Sequence, residues 1–216
     1  MLKVGITGGI GSGKTHVTKM FKHYATINSK IIPVYYSDER SKYLLNHDLS
    51  LKDRIYEAFG KASYLNGELN SKYLASKVFS DPIELKKLND IAHPAVENDF
   101  NIWCKGYQSK NIKYVLKESA ILFESGLHRK MDKNILVYAP LEIRIKRIKN
   151  RDPQRTEEDI LDILTRQMKE SDKKNLADYI IANDESDNNV LDHIAKIDKY
   201  LSDWSVLNKN LKGLNL

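Results

Sequence analysis

The stretch Gly8-Gly9-Ile10-Gly11-Ser12-Gly13-Lys14-Thr15 constrains this chain more than any other eight residues. It fits the pattern with glycine first and sixth, lysine seventh and a hydroxyl residue eighth. Glycines there let the backbone turn tightly, so that successive N–H groups and the start of a helix converge on phosphate oxygens. With glycine near 7% of average usage, a chance match to the four fixed positions has a probability on the order of 1%. The flanks agree with the motif. Leu2 to Thr7 is an apolar, β-favouring run that stops at the glycines, and beyond it Val17, Met20, Phe21 and Tyr24 recur at helical spacing. Strand, loop and helix follow in order, as triphosphate binding requires. Lys14 is then placed to reach the β- and γ-phosphates and the Thr15 hydroxyl to sit on Mg²⁺.

Four further runs read as strands: Lys30 to Tyr36, part of Ile112 to Phe123, Asn134 to Tyr138 and Asp178 to Ala182. Strands alternating with helical stretches predict an α/β fold, a doubly wound, parallel, five-stranded sheet of the P-loop type. Pro33 pushes the second run towards a sheet edge. Between Asp48 and Lys110 strand signals vanish and helical patterns such as Leu49 to Phe59 and Leu69 to Phe79 take over. The expected organisation is one kinase-like domain. Its core covers about 1–47, 111–140 and 175–216, a helical substrate-binding insertion covers about 48–110, and a basic lid covers about 141–174. In the last stretch Val190, Ile194, Ile197, Leu201 and Trp204 form one apolar stripe on a helix.

Composition excludes several other classes. The single cysteine, Cys104, rules out an internal disulfide and a cysteine-rich metal site. No apolar run is long enough to span a membrane, and a cytoplasmic protein without a membrane partner is expected. The 216 residues carry 35 Lys+Arg against 29 Asp+Glu, a net +6 that favours anionic partners. Much of that charge sits at Arg144, Lys146, Arg147, Lys149, Arg151 and Arg155. Positions 144, 147 and 151 share one helical face, and guanidiniums so close repel unless an anion lies between them. That suits a lid over a triphosphate, with Arg147 and Arg151 as phosphate contacts.

The loop does not reveal what receives the phosphate. A guanine-reading Asn-Lys-x-Asp stretch is missing, which argues against a GTPase; Asp38-Glu39 after an apolar run keeps a motor-type acidic pair open. Transfer to a hydroxyl needs a group that orients it and accepts its proton. Asp38, just past the second strand, is the candidate, with an N-cap of the helix starting near Glu39 as the plainer use. An ATP-regulated nucleic-acid binding protein is the remaining alternative, but no nucleic-acid reading module is recognisable.

Longer stretches resemble one family, the dephospho-coenzyme A kinases. They are Gly5 to Lys14; Asn66-Gly67-Glu68-Leu69; Val78-Phe79-Ser80-Asp81-Pro82; Leu88 to Pro94; Ile121-Leu122-Phe123-Glu124; Arg147 and Arg151; Gln167-Met168; and Ala177 to Asn183. The resemblance implies ATP and Mg²⁺ as co-substrate and cofactor, dephospho-CoA as acceptor, and a 3′-hydroxyl of ribose as the site of transfer. A nucleotide or other small-molecule kinase is the alternative. On this basis Gly9, Gly11, Ser12, Gly13, Lys14, Thr15, His16, Arg151 and Asn183 are expected to hold ATP, Asn183 through the adenine. Asp38, His93 and Glu124 are expected at the acceptor, with Glu124 a metal or substrate contact by position and an ion pair within the fold as its plainer use. Without the resemblance, His93-Pro94 reads as a helix end. The chain departs from the family at Tyr36-Ser37-Asp38, where Asp-Ala-Asp is usual, and at Glu118, Ala120 and Ser71. A monomer or weak homo-oligomer is expected.

Overall fold

The computed structural model describes residues 1–79, 81–184 and 186–213, with side chains as far as residue 207; Ser80 of the quoted motif lies outside them. The chain divides into two compact units, residues 1–35 with 108–216, and residues 36–107.

The first unit is built on a parallel sheet of β1 (Leu2–Thr7), β2 (Val34–Tyr36), β5 (Tyr114–Glu118), β6 (Lys133–Tyr138) and β7 (Tyr179–Ala182), in the order β2-β5-β1-β6-β7. All five expected strands are present. Pro33 has the effect its missing N–H dictates: the second run is strand only from Val34 and lies at an edge, while the Pro33 carbonyl still accepts the Leu116 N–H (2.9 Å). Successive side chains alternate between faces. Leu2, Val4, Ile6, Leu116, Ile135 and Val137 join one core cluster with α1 (Lys14–Ile27) and α9 (Asp187–Gly213). Their neighbours Val115 and Leu136, which face the other way, are also fully buried. Both faces are therefore covered, as parallel sheets require. The apolar stripe of α9 does what its spacing predicts: Val190, Ile194, Ile197 and Leu201 are buried in that cluster and Trp204 packs against it. Three more helices, α6 (Leu141–Arg151), α7 (Glu157–Arg166) and α8 (Glu170–Leu176), occupy the segment expected to form a lid.

Strand order reverses about β1, which pairs with β5 on one side and β6 on the other. The crevice outside the carboxyl ends of the strands at such a reversal is where open α/β sheets bind ligands. The glycine loop starts there, directly after Thr7.

The second unit contains α2 (Ser37–His47), α3 (Leu49–Phe59), a hairpin of β3 (Tyr64–Leu65) and β4 (Glu68–Leu69), α4 (Ser71–Val78) and α5 (Pro82–Lys105). It begins twelve residues before the expected 48, because α2 belongs with it: Arg40 holds Asp99 of α5 through Nε and Nη2 (3.0 and 2.7 Å). Ile55, Phe59, Tyr64 and Leu74 form its core. Strands are present after all, two residues each around the Asn66-Gly67 turn, where both residues have positive φ (52° and 84°). Helix α5 corrects the reading of His93-Pro94 as an end. Ala92, Val96, Phe100 and Cys104 form a buried stripe at spacings of four that continues through the proline. Packing on that stripe outweighs the hydrogen bond Pro94 cannot make.

Candidate active site

Two glycines give the phosphate loop its shape. Gly11 (φ 78°) and Gly13 (φ 87°) occupy the left-handed region, and the Ser12 N–H closes a turn on the Gly9 carbonyl (3.0 Å). Gly13 is also the N-cap of α1. It offers no capping side chain, and the first turn contains no acidic residue. The first N–H groups of α1 and the positive end of its dipole are thereby left to an anion. A Cβ on Gly13 would strike the Asn183 amide, and one on Gly9 the Arg144 guanidinium, so a side chain at either position would have to displace that group. The Lys14 ammonium donates to the Gly8 carbonyl (2.8 Å). Thr15 and His16 are exposed in the first turn, His16 Nε2 lying 2.9 Å from Asp187 Oδ1. The hydroxyls of Thr7 and Ser12 are buried without a hydrogen-bond partner among the described residues, beside the cradle.

The basic helix α6 is arranged differently from the expectation of three guanidiniums around one anion. Each arginine reaches separate protein acceptors. Arg144 is buried, with its side chain only 5% exposed, and pairs with Glu170 Oε1 (2.8 Å). A buried guanidinium requires such a partner; removing Glu170 would cost about 3–5 kcal/mol by leaving the charge uncompensated. Arg147 donates to the carbonyls of Asn183 (2.9 Å) and Asp184 (3.2 Å), at the end of β7. Its Nη1 thereby comes within 3.7 Å of where a Cβ on Gly13 would lie. Arg147 thus stands beside the loop. Arg151 and Arg155 share the Asp152 carboxylate; Arg151 foremost, and then Arg155, hold its carboxyl below the usual range.

Asn183 is buried and gives its amide hydrogen to the Ser12 carbonyl (2.7 Å). That amide shapes the loop and is not turned outward to an adenine. Glu124 is likewise engaged inside the fold: Oε1 accepts the Met168 N–H (3.3 Å) and lies 3.1 Å from the ammonium of the fully buried Lys173. Its other oxygen makes no bond among the described residues.

In the second unit Asp38 does not cap a helix. Helix α2 starts at Ser37 with Tyr36 as N-cap, so Asp38 lies inside the first turn, exposed, and forms no hydrogen bond or ion pair among the described residues. Its carboxylate is uncommitted. His93 sits half-buried one residue before Pro94 in α5. Local reading passes over Glu170, and Gln167 is marked only by resemblance, since their partners Arg144 and Ile10 are remote in sequence.

A parallel sheet with its glycine loop at the strand-order reversal, an uncapped helix behind it and a lysine on it define a P-loop nucleoside-triphosphate-binding protein. Comparison with known proteins narrows this class. A family model described as dephospho-CoA kinase matches residues 2–189. The dephospho-CoA kinase of Porphyromonas gingivalis is 37% identical over 183 residues, 85% of this chain and 86% of the relative. That of Bacteroides fragilis is 35% identical, covering 85% of each. A crystal structure from Thermus thermophilus superposes with a TM-score of 0.73 at 29% identity, covering 91% of this chain and 95% of its own. The Campylobacter jejuni dephospho-CoA kinase shares the fold (TM-score 0.64, 23% identity, 93% and 97% covered). The chain belongs to the dephospho-CoA kinase family, which catalyses the last step of coenzyme A biosynthesis.

Proposed function

We propose that this chain moves the γ-phosphoryl group of ATP onto the ribose 3′-hydroxyl of dephospho-CoA, with the loop gripping the triphosphate and Asp38 receiving the hydroxyl proton. The observation that carries this reading is the open start of α1 behind Gly11 and Gly13, where no side chain satisfies the helix N–H groups. Backbone from Gly9 to His16 cradles the phosphates, Lys14 turns from the Gly8 carbonyl to the β- and γ-oxygens, and Arg147 with Arg151 offsets charge on the transferring group. Asn183 supports the cradle from beneath. Thr15 offers one exposed hydroxyl, a donor that suits Mg²⁺, which otherwise keeps waters and substrate phosphates. When bound, that ion neutralises charge on the phosphate oxygens.

Asp38, His93 and Glu124 are the residues that contact the acceptor. As the new O–P bond forms and the bond from γ-phosphorus to its bridging oxygen breaks, Asp38 takes the alcohol proton and ADP leaves. Segment 141–174 serves as the lid that excludes water. The protein works in the cytoplasm as a monomer or weak homo-oligomer, on small molecules, with neither nucleic acid nor membrane as partner. No helix among the described residues is long and apolar enough to cross a membrane.

The test is purified protein with Mg-ATP and dephospho-CoA, following CoA against AMP and adenosine as competing acceptors. Phosphorylation of AMP alone would replace this reading by a nucleotide kinase. Asp38→Asn is expected to keep ATP binding and to lower turnover by about 10²- to 10⁴-fold; near-normal turnover removes Asp38 from the reaction.

A further inference from the structure

One residue of the loop is held through both of its main-chain groups by side chains from far along the chain. The Ile10 N–H donates to Gln167 Oε1 (3.1 Å), and the Ile10 carbonyl accepts from Arg144 Nε (2.8 Å). Glu170 Oε1 fixes the same guanidinium at 2.8 Å, and Gln167 Oε1 lies 3.4 Å from its Nη2. The fit against the loop is close. A Cβ on Gly9 would strike the Arg144 guanidinium, and a Cβ on Gly11 would come within 2.6 Å of the Arg144 carbonyl. The glycines therefore admit arginine on one side as well as phosphate on the other.

The segment that supplies Gln167 and Glu170 is itself anchored elsewhere. Glu124 accepts the Met168 N–H and pairs with Lys173, so residues 167–173 are tied both to the phosphate loop and to the stretch after β5. Arg144 is buried and its charge is matched by Glu170, which leaves it no path to a phosphate oxygen. Its contribution is to geometry. Loop N–H groups bind a triphosphate only while they converge, and a glycine-rich stretch left to itself samples many other shapes.

We infer that Arg144, Gln167 and Glu170 form a clamp that holds residues 9–11 in the shape that accepts a triphosphate, with Arg144 a positioning residue acting through Ile10. The inference rests on the kinase reading and extends it to how nucleotide affinity is set. It also couples the base of the lid to the loop, so that ATP on the loop steadies residues 167–173, and steadying those residues tightens ATP.

The experiment measures ATP binding directly by calorimetry, without acceptor, and then steady-state kinetics with each substrate varied. Arg144→Gln is expected to weaken ATP binding and raise its KM by tenfold or more, with the KM for dephospho-CoA within twofold. Arg144→Lys, which keeps the charge but cannot reach Ile10 and Glu170 together, is expected not to restore affinity. Gln167→Ala is expected to weaken ATP as well, and the double variant to lose less than the product of the single losses. Because binding is read without acceptor, an enzyme that rejects dephospho-CoA overturns the acceptor assignment and leaves the clamp to stand or fall on its own result. Unchanged ATP affinity in a folded Arg144→Gln protein, or equal loss towards both substrates, overturns the clamp.

Discussion

Helix α1 of the first unit and helices α3, α4 and α5 of the helical unit begin in opposite ways. In the helical unit α3, α4 and α5 each start with a side-chain cap: Asp48 accepts from Leu51 N, Asn70 from Tyr73 N, and Asp81 from both Ile83 N and Glu84 N. Helix α1, at the phosphate loop, has none. A cap satisfies the same N–H groups that an anion would use. At these three helices the chain supplies its own acceptor; at α1 the acceptor is withheld and glycine stands in its place. The cost of an open start falls on α1, whose Val17, Met20 and Phe21 are buried deeply enough to bear it.

Substitutions at the two kinds of helix start sharpen this contrast. Lys14→Met should reduce kcat/KM on the order of 10³-fold, as for loss of one charge-stabilising group, with a melting temperature close to that of the parent; a drop below tenfold would make the loop an ordinary turn. Asp81→Ala should do the reverse. Two N–H groups of α5 lose their acceptor, at about 1 kcal/mol, or roughly 2–4 °C in melting temperature for a chain this size, while the KM for ATP stays unchanged. A shift in ATP affinity there would break the separation of roles.

The smallest expected effect comes from alkali. Burial, and after it the neighbouring Tyr56, pushes the Tyr64 phenol up to about 12 from an ordinary value of 10.0, and its hydroxyl donates to the Leu45 carbonyl (2.7 Å). Below pH 10 the phenol is neutral in both folded and unfolded chains and stability is flat. Between 10 and about 12 only the unfolded chain ionises, so the helical unit loses stability as pH rises. Trp103 lies in that unit and Trp204 in the other, so Trp103 fluorescence in a Trp204→Phe background reads it alone. Tyr64→Phe should flatten the alkaline slope, and an unaltered slope would assign it elsewhere.

Most of the sheet and the entire loop could be read from sequence because both are local: a six-residue β-favouring run, then glycines, then a helical stripe. What escaped was set by distance along the chain. The N-cap reading of Asp38 failed because Tyr36, closing a short edge strand, already starts α2. The Arg144 side chain looked like a phosphate contact beside Arg147, since nothing near it in sequence announces Glu170 or Ile10 as its partners. Asn183 was singled out for adenine, but the partner of its amide, Ser12, is 171 positions away. Pro94 misled for a related reason: its local effect is genuine, yet the buried stripe from Ala92 to Cys104 overrides it.

Helix α2 to helix α5 form one uninterrupted stretch, entered at Tyr36 and left at Tyr107. Under the roles proposed above, the carboxylate that readies the alcohol is encoded in that same stretch, apart from the loop that grips the triphosphate. Changes confined to residues 36–107 would then reach the alcohol's proton acceptor without altering the sequence of the phosphate grip.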